Sequence, residues 1–391
     1  MYVNQKLLDA ISNSEPVGGF THGFYRYPAR FSPVFASTMI QAFTKPGDLV
    51  LDPFMGGGTT LIEARTLGRE VIGSDLNSLA VFLANAKTVL YTPKDLEAVR
   101  QWVHTFACSL DVHASQPLGE FELPELNGMQ QLNTWRIRKA IGIALRDLKS
   151  LEASRARKLA KCVVLRTAQW ALDCRSVVPS ISDFKDHMKV AAKDMLKGAS
   201  DFARAVRTSE KSLGYLPRVN CLNTSAASVH LQPIWKRHGA PALVLTSPPY
   251  PGVHVLYHRW QIRGRRETSV PFWISGTTDG NGAAFYTFGD RKQKNLAGYF
   301  QAVEENFAAV GEVCNSNTVI VQLIAFSEPE DQLPRYLAAM KQAGLREITV
   351  SSSRHKSGER IWRSVPNRKW YAEQKSTIGS ASEVVLFHKK R

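Results

Sequence analysis

Two short stretches of the chain carry residue types that could do chemistry together. Residues 49–60 read LVLDPFMGGGTT, an apolar run followed by Asp52, three glycines and the start of a helical pattern. Glycines between a strand and a helix let the backbone approach a ligand where no Cβ would fit, and the helix start offers free N–H groups. Residues 246–250 read TSPPY after another apolar run. Both patterns predict a ligand at the end of a buried strand.

The glycine loop excludes two familiar ligand classes. A phosphate-binding P-loop requires Gly-Lys-Ser/Thr, and no lysine follows these glycines. A dinucleotide fingerprint, G-x-G-x-x-G, counted from Gly56 and Gly58 would need a glycine at position 61, which is Leu61. The remaining class of ligand for such a loop is S-adenosylmethionine.

The string D-P-F-x-G-x-G-T-T resembles motif I of the amino-methyltransferases that modify exocyclic amines of nucleic-acid bases. The resemblance implies S-adenosylmethionine as the cofactor. Gly57 replaces the serine that is usual in the G-S-G of this motif, so we expect a looser loop. The loop residues that the resemblance assigns to the cofactor are Asp52, Pro53, Phe54, Gly56, Gly58, Thr59 and Thr60.

A second resemblance precedes the loop. Residues 21–43 contain H-G-F-Y-R-Y-P-A-R-F-S-P, which resembles motif X of the same enzymes and implies that Tyr27, Pro28 and Phe31 lie against the methionine end of the cofactor. Pro33 suits the first position of a helix running to about Phe43, and a serine just before it is a natural cap.

Two later strands supply polar residues at their ends. Residues 69–75 predict a strand that ends on Asp75, about 20 residues beyond the loop, where an acidic side chain accepts hydrogen bonds from ribose hydroxyls in nucleotide-binding folds. A helix cap by Asp75 is the alternative, and both roles are compatible. A third strand ends near Asn223, where the family often has an acidic residue in contact with adenine. Here Asn223 and Ser225 are the polar groups at that point, so we assign Asn223 to the cofactor.

The S-P-P-Y string resembles motif IV of DNA methyltransferases that act on cytosine N4, whereas adenine-N6 enzymes more often carry D-P-P-Y or N-P-P-Y. An exocyclic amine is a poor nucleophile because its lone pair is conjugated into the ring, so it needs hydrogen-bond acceptors as it attacks the methyl. Ser247 Oγ and the Pro248 carbonyl can supply them, Pro248 and Pro249 fix the backbone, and Tyr250 can stack on a flipped base. A cytosine carbon-5 mechanism is excluded, because no cysteine follows a proline.

Charge and composition indicate a polyanionic partner. The 391 residues carry a formal net charge of +16, which in a folded enzyme indicates a partner such as double-stranded DNA. The scattered cysteines predict no zinc site, and the absence of a leader or a long apolar run predicts a cytoplasmic protein. Candidate cations are Arg136, Arg138, Lys139, Arg155, Arg157, Lys158 and Lys161, then Arg259, Arg263, Arg265 and Arg266 beside Tyr257 and Trp260, and the basic residues of 351–391.

The sequence predicts an α/β fold of the class I methyltransferase (Rossmann-like) type, with a seven-stranded, mostly parallel sheet. We divide the chain into residues 1–90 with motif X and the cofactor loop, a helical basic insertion at 91–217, and residues 218–391 with S-P-P-Y. For the insertion, DNA recognition and a packing or lid role are both open. The predicted activity is methyl transfer to cytosine N4 in DNA, of restriction-modification type, with no metal and with a separate endonuclease as a possible partner. The alternatives are adenine N6, guanosine N2 of tRNA, and a DNA-binding protein without activity.

Overall fold

The structure is a computed structural model of the whole chain. It describes residues 1–13, 15–27, 31–114, 134–175, 177–252, 260–262, 266–280, 286–289, 295–352, 358–364 and 382–391. Among these residues, no helix is both long and apolar enough to cross a membrane.

The strands of the described residues follow the apolar runs of the sequence. The central ones are short and buried along their whole length, as in LVLD and LVLT. The strands are β1 (Tyr2–Val3), β2 (Leu49–Asp52), β3 (Glu70–Asp75), β4 (Val219–Asn223), β5 (Leu243–Thr246), β6 (Trp260–Ile262), β7 (Arg266–Thr268), β8 (Val319–Ala325), β9 (Leu345–Glu347), β10 (Ser351–Ser352), β11 (Ile361–Ser364) and β12 (Ser382–Lys390).

Several helices begin at a side-chain cap. Ser32 caps α2 and Pro33 is its first residue, as predicted. Ser180 and Asp183 form a capping box at the start of α8, which ends at Gly214 with φ +77°. The helices are α1 (Gln5–Ser12), α2 (Pro33–Phe43), α3 (Thr59–Thr66), α4 (Ser78–Thr88), α5 (Pro93–Ser109), α6 (Trp135–Asp147), α7 (Ser154–Leu172), α8 (Ile181–Leu213), α9 (Val270–Ser275), α10 (Ala297–Val313) and α11 (Pro329–Gln342).

The main sheet has the strand order of the predicted class I methyltransferase fold. Its order is β11-β12-β8-β5-β2-β3-β4, and β9 also pairs with β12. The pairs from β4 through β8 are parallel, and β12 is antiparallel to β8, as predicted for the last strand. The described strands of this sheet number eight, not the seven predicted, because residues 345–364 supply two short strands, β9 and β11, to β12.

In its described residues, the long segment between β3 and β4 forms helices joined by short loops, and no strand. Helices α5 to α8 share an apolar core with α9, β6 and the aromatic residues Phe24, Tyr25 and Tyr27. Trp260 is 1% exposed and its Nε1 donates to Tyr25 Oη at 2.7 Å, so this residue packs and does not line a base pocket. The helices therefore pack directly on the segment that carries motif X.

Candidate active site

The predicted site residues meet at one edge of the sheet. Because β2 is parallel to both β3 and β5, Asp52, Asp75 and Thr246 all end their strands on the same side. Asn223 ends β4 directly opposite Asp75. Ligands of open α/β sheets bind outside this carboxyl edge.

Asp52 connects the glycine loop to the strand that precedes S-P-P-Y. Its Oδ2 accepts from Thr60 Oγ1 at 2.6 Å, and its Oδ1 accepts from Thr246 Oγ1 at 2.7 Å and from the Phe54 amide at 3.2 Å. The side chain is 1% exposed, and burial raises its pKa to about 6 against these hydrogen bonds. Asp52 thus fixes the residues around the cofactor loop, with both carboxylate oxygens already occupied.

The glycine loop is closely packed. Gly56 has φ +44°, and a Cβ there would lie 3.2 Å from Tyr27 Cε1. Gly58 has φ +76°, and a Cβ there would lie 3.2 Å from Ala84. The Gly57 carbonyl accepts from Lys87 Nζ at 2.7 Å. The expectation of a looser loop was therefore wrong, because a buried ammonium group holds the residue that replaces serine.

Asp75 is half-buried and holds the loop from the other side. Its Oδ2 accepts from the Gly56 amide at 2.9 Å, and its Oδ1 accepts from the Asn77 amide at 2.8 Å. Burial raises its pKa to about 6, although both amides act in the opposite direction. The cap of α4 is the Asn77 side chain, so Asp75 is not the capping residue. Asn223 is exposed, and its Nδ2 donates to the carbonyls of Asp75 and Leu76.

The other predicted cofactor residues surround the loop or lie beneath it. The Tyr27 ring packs on Gly56, which brings motif X and motif I together. Phe31 is 8% exposed and packs edge-on against Phe35. Phe54 contacts Phe288 and Phe307, and the Pro53 carbonyl accepts a hydrogen bond from Ser74 Oγ at 3.2 Å. Thr59 is buried at the start of α3. Pro28 lies outside the described residues.

The S-P-P-Y segment follows Thr246 and has hydrogen bonds of its own. Ser247 Oγ donates to Tyr250 Oη at 3.3 Å, and Tyr250 Oη donates to Glu383 Oε1 at 2.6 Å. The Pro249 carbonyl accepts from Tyr299 Oη at 3.0 Å. In the described part of the chain, the Pro248 carbonyl accepts no hydrogen bond. The segment thus has a fixed backbone and one carbonyl available as an acceptor.

Sequence reasoning missed three buried charged residues of the site. Lys87 is 0% exposed, and Glu383 and Arg363 are 5% and 7% exposed. Arg363 was counted among the cations of a phosphate surface, but its Nη2 lies 2.8 Å from Glu383 Oε2. A lysine in the otherwise apolar and neutral helix SLAVFLANAKT was a usable signal for Lys87. The pairing of Arg363 with Glu383 left no local signal.

Several other predicted DNA-binding cations are bound within the protein. Arg155 pairs with Asp95, Arg157 donates to backbone carbonyls, and Lys161 donates to the Ser275 carbonyl at 3.2 Å. Lys139 and Arg360 also have protein partners. These contacts favour a packing role for several of the candidate cations of the helical insertion. The residues Tyr257, Arg259, Arg263, Arg265 and the side chain of Arg266 lie outside the described residues.

The arrangement fits S-adenosylmethionine as the cofactor. Asp75 presents a carboxylate at the end of β3, and within the described ranges the Gly57 amide has no acceptor. In the same described ranges, no group of three or more His, Cys, Asp or Glu side chains is placed to hold a metal ion.

Comparison with known proteins finds a family model that matches the N-terminal part of the chain. Residues 9–85 match the model of a family described as DNA methylase, of the N6/N4 type. The chain is 40% identical over 79 residues to the type II methyltransferase M.MvaI of Kocuria varians, which is 19% of this chain and 17% of that protein. It is 55% identical over 47 residues to the type II methyltransferase M1.MboII of Moraxella bovis, which is 12% of this chain and 18% of that protein.

A third relative is named as a tRNA methyltransferase. The chain is 37% identical over 75 residues to a tRNA (guanine(10)-N2)-dimethyltransferase of Methanothermobacter thermautotrophicus, covering 19% of this chain and 22% of that protein. The matched segments thus span less than a quarter of the length of each of these relatives. Through the segment that carries motif X and the glycine loop, the chain is similar to DNA methylases of the N6/N4 family.

Proposed function

We propose that the protein transfers a methyl group from S-adenosylmethionine to an exocyclic amine of a base in double-stranded DNA, and that the amine is N4 of cytosine. The observation that carries the proposal is the link through Asp52. This one carboxylate holds Thr60 of the cofactor loop and Thr246, the residue before Ser247. A bound methyl donor and the acceptors of S-P-P-Y would therefore share one rigid support.

The residues of S-P-P-Y have separate roles in this reaction. S-adenosylmethionine supplies a methyl group already activated on its sulfonium. The amine of the flipped base donates to Ser247 Oγ and the Pro248 carbonyl, which turns its lone pair out of conjugation. As the N–CH₃ bond forms, the C–S bond breaks with its electron pair moving to sulfur, and the amine then loses one proton to solvent. Positioning of the two reactants supplies most of the rate.

The choice of base rests on Ser247. Adenine N6 is the first alternative, because S-P-P-Y favours cytosine-N4 enzymes without excluding the other amine. Guanosine N2 of tRNA is the second, and the similarity to a tRNA dimethyltransferase supports it. Relatives that are named type II methyltransferases support DNA as the substrate and a restriction-modification role, to which we add a separate endonuclease as a proposal. A cytoplasmic location follows from this substrate.

The test is to express the protein, digest the host DNA to nucleosides and measure methylated bases by mass spectrometry. We expect N4-methylcytosine, and we expect it to disappear with Ser247→Ala while affinity for the cofactor is unchanged. Detection of N6-methyladenine instead would mean that the substrate base is adenine and not cytosine. If neither base appears and the host tRNA carries new N2-methylguanosine, the DNA proposal is wrong. Equal loss of turnover and cofactor affinity in Ser247→Ala would refute the acceptor role of Ser247.

A further inference from the structure

A serine hydroxyl can either donate or accept a hydrogen bond, and the reaction proposed above needs it to accept. If Ser247 donated its proton to the base, it would not draw the amine out of conjugation. The Ser247 hydroxyl proton must therefore be donated to another acceptor. Among the residues that the structure describes, Tyr250 Oη accepts this proton at 3.3 Å.

The direction of this hydrogen bond is set by the next residue in the series. A tyrosine hydroxyl has one proton, and Tyr250 donates it to Glu383 Oε1 at 2.6 Å. A carboxylate can only accept, so Tyr250 Oη is left as the acceptor for Ser247. The Ser247 lone pairs then remain for the amine of the base.

Arg363 binds the second oxygen of the Glu383 side chain, so that Oε1 is left for Tyr250. Its Nε and Nη2 lie 2.9 and 2.8 Å from Glu383 Oε2, and both side chains are buried. Arg363 and Glu383 stand directly opposite each other on β11 and β12. Arg363 also lies over the Phe35 ring at 5.6 Å, which connects the pair to the helix of motif X. A charged hydrogen bond in such a buried place is directional and strong.

We propose that Glu383 and Arg363 are positioning residues that, through Tyr250, orient the Ser247 hydroxyl as an acceptor for the target amine. The proposal rests on the proposed function for its chemistry. It assigns a role in turnover to the last strand of the sheet, about 130 residues beyond the S-P-P-Y segment along the chain. It also accounts for a buried ion pair that shares no contact with the cofactor loop.

The central variant is Glu383→Gln, which keeps the shape of the side chain but allows its amide to donate to Tyr250. We expect kcat to fall about tenfold, since a charged hydrogen bond is lost, with Kd for S-adenosylmethionine changed by less than about twofold. In a Tyr250→Phe background the same change should cost nothing further, because the connection to Ser247 is already cut. Equal losses in both backgrounds would mean that Glu383 only supports the fold, and would overturn the proposal.

A matched control is available on the neighbouring strand. Arg360 binds Glu347 with a bidentate pair at 2.7 and 2.9 Å, but neither residue reaches S-P-P-Y. Glu347→Gln should leave kcat unchanged. If Glu383→Gln folds poorly because Arg363 is left buried and unpaired, the double variant with Arg363→Met removes both charges. That variant should show the same loss of kcat, and wild-type turnover in it would refute the proposal.

A readout independent of activity separates this proposal from the proposed function. In protein labelled with ¹³C at tyrosine Cζ, the Tyr250 signal is identified by its loss in Tyr250→Phe. Its chemical shift should move in Glu383→Gln and stay fixed in Glu347→Gln. An unmoved signal would overturn the proposal even in an active enzyme. Absence of any transfer to DNA by the wild-type protein would overturn the proposed function instead, and the tyrosine signal would still decide whether Glu383 sets the hydrogen bond.

Discussion

Replacement of Asp52 by asparagine tests whether the buried charge of this carboxylate lowers the free energy of unfolding. Burial raises its pKa from the usual 3.8 to about 6, and one pKa unit corresponds to about 1.4 kcal/mol. Above about pH 7 the charged form therefore lowers the free energy of unfolding by about 3 kcal/mol. Asparagine has the same shape and can still accept from Thr246 and the Phe54 amide, while Thr60 can turn to accept from the new amide group.

The sign of the pH dependence follows from the raised pKa. A carboxyl whose pKa is higher in the folded state contributes stability that is complete below its unfolded pKa and is lost as pH rises through its folded pKa. Relative to wild type, Asp52→Asn should gain about 2 kcal/mol in the free energy of unfolding between about pH 4 and about pH 7.5. Urea unfolding followed by tryptophan fluorescence at a series of pH values would measure this difference.

Asp95→Asn is the matched control. Burial acts to raise the pKa of Asp95, but hydrogen bonds from Thr92 and the Arg155 guanidinium bring it below the usual value. Its stabilising effect is present above the unfolded pKa, so the difference from wild type should stay constant from about pH 5 upward. Parallel pH profiles for wild type and Asp52→Asn would refute the assignment of the raised pKa to Asp52.

Two further substitutions test the cofactor loop. Asp75→Ala should weaken S-adenosylmethionine binding by about tenfold or more in isothermal titration calorimetry, because the hold on Gly56 and the ribose hydrogen bond predicted for Asp75 would both be lost. Unchanged affinity would mean that Asp75 contacts the glycine loop but not the ribose. Lys87→Met should remove the hydrogen bond to the Gly57 carbonyl, speed amide hydrogen exchange at the loop and weaken cofactor binding by about fivefold. Exchange rates equal to wild type would show that Lys87 fills space without holding the loop.

The strands, the glycine loop and their common edge could be predicted from the sequence because each depends on local patterns. Short apolar runs form buried parallel strands, and such strands bring their carboxyl ends together. Asp52, Asp75 and Thr246 could thus be placed in one region before any coordinates. The strand count was less accurate, because two of the three very short strands within 345–364 join the main sheet, and their lengths carry little periodic signal.

Contacts between distant residues could not be predicted. Nothing in the local pattern around Arg363 distinguishes it from a surface cation, and only its position opposite Glu383 in the sheet makes it an internal partner. The same holds for Arg155, whose partner Asp95 lies 60 residues away in sequence. The net charge is unchanged by such pairs, but the list of individual cations expected to contact DNA was too long, since a positive residue can be paired from anywhere in the chain.

The helical segment between β3 and β4 also has a consequence for how the protein folds. Strands β3 and β4 are neighbours in the sheet, but about 140 residues separate the end of β3 at Asp75 from the start of β4 at Val219. Closing so long a loop is slow when the intervening chain is unordered. Helices α5 to α8 pack mainly on one another, so they can form early and carry the chain back towards β4. Helices α5 to α8 would then act as a folding scaffold, and destabilising them should slow assembly of the cofactor edge even though their described residues include none of those named at that edge.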